Sequence, residues 1–226
     1  MHDDSLRTAP SSRQAALAGA ILAVATLLEI AAMAHHPSVH SSNAADAVRQ
    51  IGELSALSGW VHGSLLALML IAAYGLSEFA VRRDLRRPLI RAGAIAYAAG
   101  VLVMLGAAMV SGFIISDLVA YTPHATATDL QINAQILTLC RILNQTWAKF
   151  GAIAMSAGIG LWSVDLLRDT GIARALGVLG LVAGLLPALA IIFGWMHLDV
   201  HGMTAVVLMQ AVWCVAVGVA MVRSRI

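Results

Sequence analysis

The stretch AALAGAILAVATLLEIAAMA (15–34) holds a single ionisable side chain, Glu29, among aliphatic and small residues. A helix rises 1.5 Å per residue, so about 20 such residues cross the roughly 30 Å of hydrocarbon in a bilayer. Five further stretches have the same character, and together they predict spans at 14–34, 60–81, 92–112, 148–167, 175–195 and 203–222. Backbone groups in lipid must be satisfied within their own segment. The reading is therefore an all-α polytopic membrane helix bundle with six transmembrane helices, a single membrane domain over 1–226.

The composition agrees. Of 226 residues, 60% are hydrophobic and 12% charged, with a mean hydropathy of +0.84. A soluble domain carries about a quarter of its residues as charges. Disorder, nucleic-acid binding and an ordinary soluble fold are excluded on that ground. The 19 glycines suit close helix crossing, as does the GxxxG pattern of Gly180 and Gly184. On the helix before it, Ala154 and Gly158, and Ser156 and Gly160, are similar small pairs, and Pro187 predicts a kink in the fifth helix. Most methionines read as core filler.

Cations set the orientation. With the N-terminus inside, Arg7, Arg13, Arg82, Arg83, Arg86, Arg87, Arg91, Arg168, Arg174, Arg223 and Arg225 lie on the inner side. Only Arg49, Arg141 and Lys149 lie on the outer side. Eleven against three gives an N-in, C-in topology, with RRDLRRPLIR (82–91) as a solvated inner turn facing headgroups. The expected place is a bacterial inner membrane. A rival reading makes the first span a cleavable signal peptide, ending at Ala32-Met33-Ala34, although its apolar run is longer than usual.

The outer segments 36–59 and 113–147 are long. Asp129 is positioned to cap a helix from Leu130 into the fourth span, so an outer hairpin extension over 113–147 is expected. Cys140 and Cys214 fall at depths too different for a disulfide and read as free thiols. GWVH (59–62) and GWMH (194–197) look alike but open one span and close another.

Histidine carries the functional signal. Of eight, only His2 is on the inner side, and His40 and His124 fall in loops. His35 and His36 end helix 1, His62 opens helix 2, and His197 and His201 flank the turn between helices 5 and 6. Glu29 lies about seven residues deeper, costly there unless paired, protonated or bound to a cation. Glu29, Met33 and His36 are spaced to share one helix face. Asp199 stands between the two imidazoles of HLDVH. Imidazole with carboxylate suits zinc, copper or iron. The candidate metal ligands are thus His35, His36, His62, His197, His201 and Glu29, with Glu29 and Asp199 as candidate catalytic carboxylates, in a cavity among helices 1, 2, 5 and 6. A ligating imidazole also enlists such carboxylates through its other N–H.

The expectation is a metal-dependent or metal-handling membrane protein acting on a lipidic or quinone-like molecule at the outer surface. One alternative is a single b-type haem held by His62 and a partner such as His197, His201 or His36. Another is a proton- or ion-coupled transporter using Glu29. Arg141 or Lys149 paired with Glu29 would weaken the metal reading. Ser111, Ser116 and Asp117 sit near the outer end of helix 3, without a spacing that demands hydrolysis.

Overall fold

A computed structural model describes residues 12–38, 44–120 and 127–226; His2, Arg7, His40, Pro123 and His124 lie outside the described residues. The described chain is helical, without a strand. Helix α1 spans Ser12–Ala34 and α2 spans Ala44–Arg82. Helix α3 runs Pro88–Ala120 and contains one π turn, Val110–Ile114. Then follow α4 (Ala127–Leu166), α5 (Gly171–Ile192) and α6 (Val200–Val222).

Five helices are long and apolar enough to cross a membrane: α1, α2, α3, α5 and α6. This is the build of an integral membrane protein. The fourth expected span, 148–167, is not among them. The α4 helix there carries Lys149 at one end and Asp165 at the other, which lowers its hydropathy below that of its neighbours.

Each helix packs on its neighbours in the chain, and α1 closes against α6, so the six form a ring in sequence order. Small residues set the crossings. A methyl group on Gly100 of α3 would lie 2.8 Å from the Gly151 carbonyl of α4, and one on Gly184 would lie 2.8 Å from the Ser156 carbonyl. The expected pair Ser156 and Gly160 of α4 therefore faces Gly184 of α5, whereas Gly158 packs against Gly93 and Tyr97 of α3. Gly19 and Gly218 make the same approach between α1 and α6. Pro187 is buried inside α5, which stays helical through Ile192.

The two halves of the ring are filled differently. At the end that carries Arg83 and Asp165, Trp162 and Trp213 stack with centroids 6.1 Å apart, and Phe79 meets both edge-on. Their indole N–H groups donate to the carbonyls of Ile90 and Leu176, each at 3.1 Å, so both are buried without an unmet donor. Below them the inner turn is less solvated than its sequence suggests. Asp165, wholly buried, accepts from Arg83 at 2.6 Å and from Arg87 at 3.2 Å, and Asp169 accepts from Arg83 at 2.6 Å. Burial alone would lower the Arg83 guanidinium, but hydrogen bonds and charge from Asp165 and Asp169 outweigh it and hold it above its ordinary value. Arg86 stays exposed, paired with Asp84 at 3.1 Å.

At the opposite end, Trp60 and Trp195 are 78% and 77% exposed, and Phe193 stacks on Trp195 at 5.1 Å. Helices α2, α3 and α4 are longer than the other three. The outer extension expected over 113–147 is thus built from the end of α3 and the start of α4, which begins at Ala127 with Asp129 already in its first turn. Residues 44–59, part of the long segment expected between the first two spans, form the first part of α2, and a methyl group on Gly52 would touch Val119 at 3.5 Å.

Candidate functional site

Above the aromatic plug the ring encloses a cavity of about 760 Å³. Its wall comes from α1, α2, α3, α4, α6 and the residues just before α6. Among the described lining residues none belongs to α5, so the expected enclosure by helices 1, 2, 5 and 6 is corrected to include α3 and α4 instead of α5. Each wall helix contributes one face at helical spacing: Thr26, Glu29 and Met33 from α1, Leu65, Met69 and Ala72 from α2, Val206, Gln210 and Cys214 from α6.

His36 and His62 meet at the mouth. Their Nε2 atoms are 3.2 Å apart, and the rings cross edge-to-face at 69°. The other nitrogen of each ring is committed: His62 Nδ1 donates to the Ser58 carbonyl at 2.9 Å, and His36 Nδ1 donates to the Pro37 carbonyl at 2.9 Å. A carbonyl oxygen only accepts, so these contacts place a hydrogen on each Nδ1, and the Ser58 Oγ also stands 3.3 Å from His62 Nδ1. Neutral rings of that tautomer present Nε2 lone pairs to each other, whereas a proton on either Nε2 makes their contact a hydrogen bond. Burial pushes His36 below its ordinary imidazole value, an effect its bond to Pro37 opposes. The neutral form is the one this surrounding favours.

The π turn of α3 holds this pair in place. Gly112 lies within it, pressed against the Cβ and ring of His62 with no room for a side chain. One residue earlier, Ser111 Oγ accepts from Asn144 Nδ2 of α4 at 2.8 Å, and the same amide donates to the Ala107 carbonyl at 2.8 Å. A π turn inside an α-helix shifts the residues after it around the axis, and such turns recur at functional sites. Gln145 fixes the opposite rim by donating to the Leu198 carbonyl at 2.8 Å.

The remaining predicted residues divide. Glu29, Asp199 and His201 line the same cavity, and Asp199 Oδ1 caps α6 by accepting from the Gly202 N–H at 2.8 Å. His35 stands outside, exposed, with Nδ1 donating to the Ala31 carbonyl at 2.9 Å. His197 is exposed and outside the cavity too. The chain leaves α5 through Gly194 at φ +73°, with the Trp195 and Met196 N–H groups both on the Ala190 carbonyl. This turn sends Leu198 inward, 3% exposed, and His197 outward. Since α6 begins only at Val200, the His197 to His201 spacing is not a helical one.

Neither Arg141 nor Lys149 pairs with Glu29: among the described residues, the ion pairs involve none of the three. No group of three or more His, Cys, Asp or Glu side chains able to hold a metal stands together among the described residues. Of the expected ligands, His36 and His62 touch each other, and Glu29 and His201 lie elsewhere on the wall with Asp199. Cys140 and Cys214 are both free and buried, Cys214 on the cavity wall. Sequence reading missed Gly112, Asn144, Tyr97 and Gln210. Amides inside apolar helices were the available signal for Asn144 and Gln210, because an amide in lipid needs a partner.

No family model, no curated protein and no solved structure matches the chain.

Proposed function

We propose that this protein crosses a bacterial inner membrane six times with both termini inside, and that its outward-facing cavity uses His36 and His62 to hold a transition-metal ion beside a lipidic or amphiphilic molecule. The sixth span is α4: the ring has no gap at this position, and its Asp165 is neutralised by Arg83 and Arg87. The orientation follows from the excess of arginine at the inner end.

The observation that carries the metal reading is the approach of two Nε2 atoms to 3.2 Å, with both Nδ1 atoms on backbone carbonyls. With the ring hydrogens on Nδ1, the two Nε2 lone pairs repel unless a metal ion or a proton lies between them. A metal-ligating imidazole characteristically donates its other N–H to such a carbonyl. Two imidazole nitrogens on one tetrahedral ion at about 2.05 Å stand about 3.3 Å apart, which fits the pair. Ligands on opposite sides of a haem iron stand about 4 Å apart with a ring between them, which fits it less well. Two protein ligands leave coordination positions for water or for a donor atom of the bound molecule, where such an ion acts as a Lewis acid.

The test is metal analysis of purified protein after equilibration with cobalt(II) or zinc(II). One equivalent is expected for wild type and for His197→Ala, with loss in His36→Ala and in His62→Ala. Wild-type protein that holds no metal under these conditions overturns the reading. A Soret band in the purified protein would replace it with the haem alternative.

A further inference from the structure

We propose that the molecule taken up by this cavity is a single-chain amphiphile with an anionic head, and that Arg141 recognises the head. The proposal deepens the reading of the cavity as a ligand site, and does not require the metal to be present.

Most polar groups at the mouth are already spent. Asn144 bonds Ala107 and Ser111, Gln145 bonds Leu198, and Asp199 caps α6. Arg141 lines the same mouth, is exposed, and makes no ion pair or hydrogen bond among the described residues, neither with Asp199 nor with Glu29. A guanidinium offers five donors in a planar fork that matches a carboxylate or phosphate with two parallel bonds. It is also one of only three cations on the outer side of the chain, and the one that lines the cavity.

Beneath this head site the wall is mostly apolar, with Glu29 and Gln210 set among aliphatic and thioether side chains. From Arg141 the lining of α4 descends through Ala148 and Ala152 to Met155, about 21 Å at 1.5 Å per residue. Met69, Met104 and Met203 face the same space. Thioethers on flexible stems adapt to a chain of variable shape. At about 760 Å³ the space lies within the range of small-molecule sites, roughly 300 to 1,000 Å³, which favours one alkyl chain over two.

The experiment measures binding of three probes with the same chain to the protein in neutral lipid nanodiscs: dodecyl phosphate, dodecanol and dodecyltrimethylammonium. Each is measured with and without EDTA. The expected result is that wild type prefers dodecyl phosphate over both other probes by about tenfold or more in EDTA, as a charge-assisted pair at the mouth implies. Arg141→Gln should lose that preference while keeping its affinity for dodecanol, and Arg141→Lys should restore part of it. Ala152→Trp, which fills the apolar shaft, should weaken all three dodecyl probes but not butyl phosphate. Equal affinity for the three probes, or a preference that survives Arg141→Gln, overturns the proposal. A preference that disappears with EDTA and ignores Arg141 assigns head recognition to the metal alone. That result ends this proposal and leaves the metal reading standing, whereas preference in protein that never holds metal does the reverse.

Discussion

The Nε2 atoms of His36 and His62 face each other across 3.2 Å, each ring locked from behind by a backbone carbonyl. One ring lies just past the end of α1 and the other inside α2, so their meeting depends on how these helices are held. Most of what can be tested concerns that hold.

Gly112→Ala should displace His62, because a Cβ there meets the imidazole Cβ and ring. The expected outcome is at least a tenfold loss of cobalt(II) affinity with unchanged helical content by circular dichroism. Gly63→Ala, where the new methyl group would touch only Phe113 at 3.7 Å, should bind as wild type does. Equal affinity in both variants would refute the role given to the π turn.

Metal binding should weaken on acidification only below the ordinary imidazole value of about 6.5. Burial lowers His36, so its Nε2 stays bare through that value and takes a proton only at lower pH. The linkage has the same sign. An unfolded chain protonates His36 first, so the contribution to stability is complete above about pH 6.5 and is lost as pH falls through the lower folded value. The difference in melting temperature between wild type and His36→Gln, followed from pH 8 to pH 5, should stay constant at first and then move against wild type. A difference that moves in favour of wild type on acidification would contradict this.

Asp165→Asn should destabilise the protein by about 3 kcal/mol, since it leaves two guanidinium groups without their buried partner. The cost should appear in thermal unfolding, not in metal stoichiometry of the folded protein, because the aromatic plug separates this cluster from the cavity. Arg86→Gln, at an exposed pair, should cost under about 0.5 kcal/mol.

Asn144→Leu removes the amide that ties α4 to Ala107 and Ser111 of α3. A loss of about 1 to 2 kcal/mol is expected, together with faster hydrogen exchange at the π turn than elsewhere in α3. Uniform exchange along α3 would show that the amide does not hold the turn.

The spans were legible wherever one physical quantity, apolar length, decides them, as in 15–34 and 203–222. Residues 148–167, expected as a span on the same ground, are not among the helices long and apolar enough to cross. Asp165 is buried there because Arg83 and Arg87 reach it from another part of the chain, and no local window contains that fact. The outer part of α2 was missed for a similar reason, since polar residues such as Arg49 and Glu53 hide a helix that packs on α3. In the site, direction was not legible. His35, His36, His62, His197 and His201 were all expected near one level, but only helix ends and turns choose which rings point inward. Gly194 turns His197 out, and the end of α1 at Ala34 frees His36 to swing toward α2.

The closure of α1 against α6 carries a consequence for biogenesis. The two helices are separated in the chain by residues 35–199, and the ring closes only when they meet. Until α6 docks through Gly218 onto Gly19, the wall that bears His201 and Gln210 is missing and the chamber stays open on that side. The chamber therefore takes shape only after α6 has been made and has found α1.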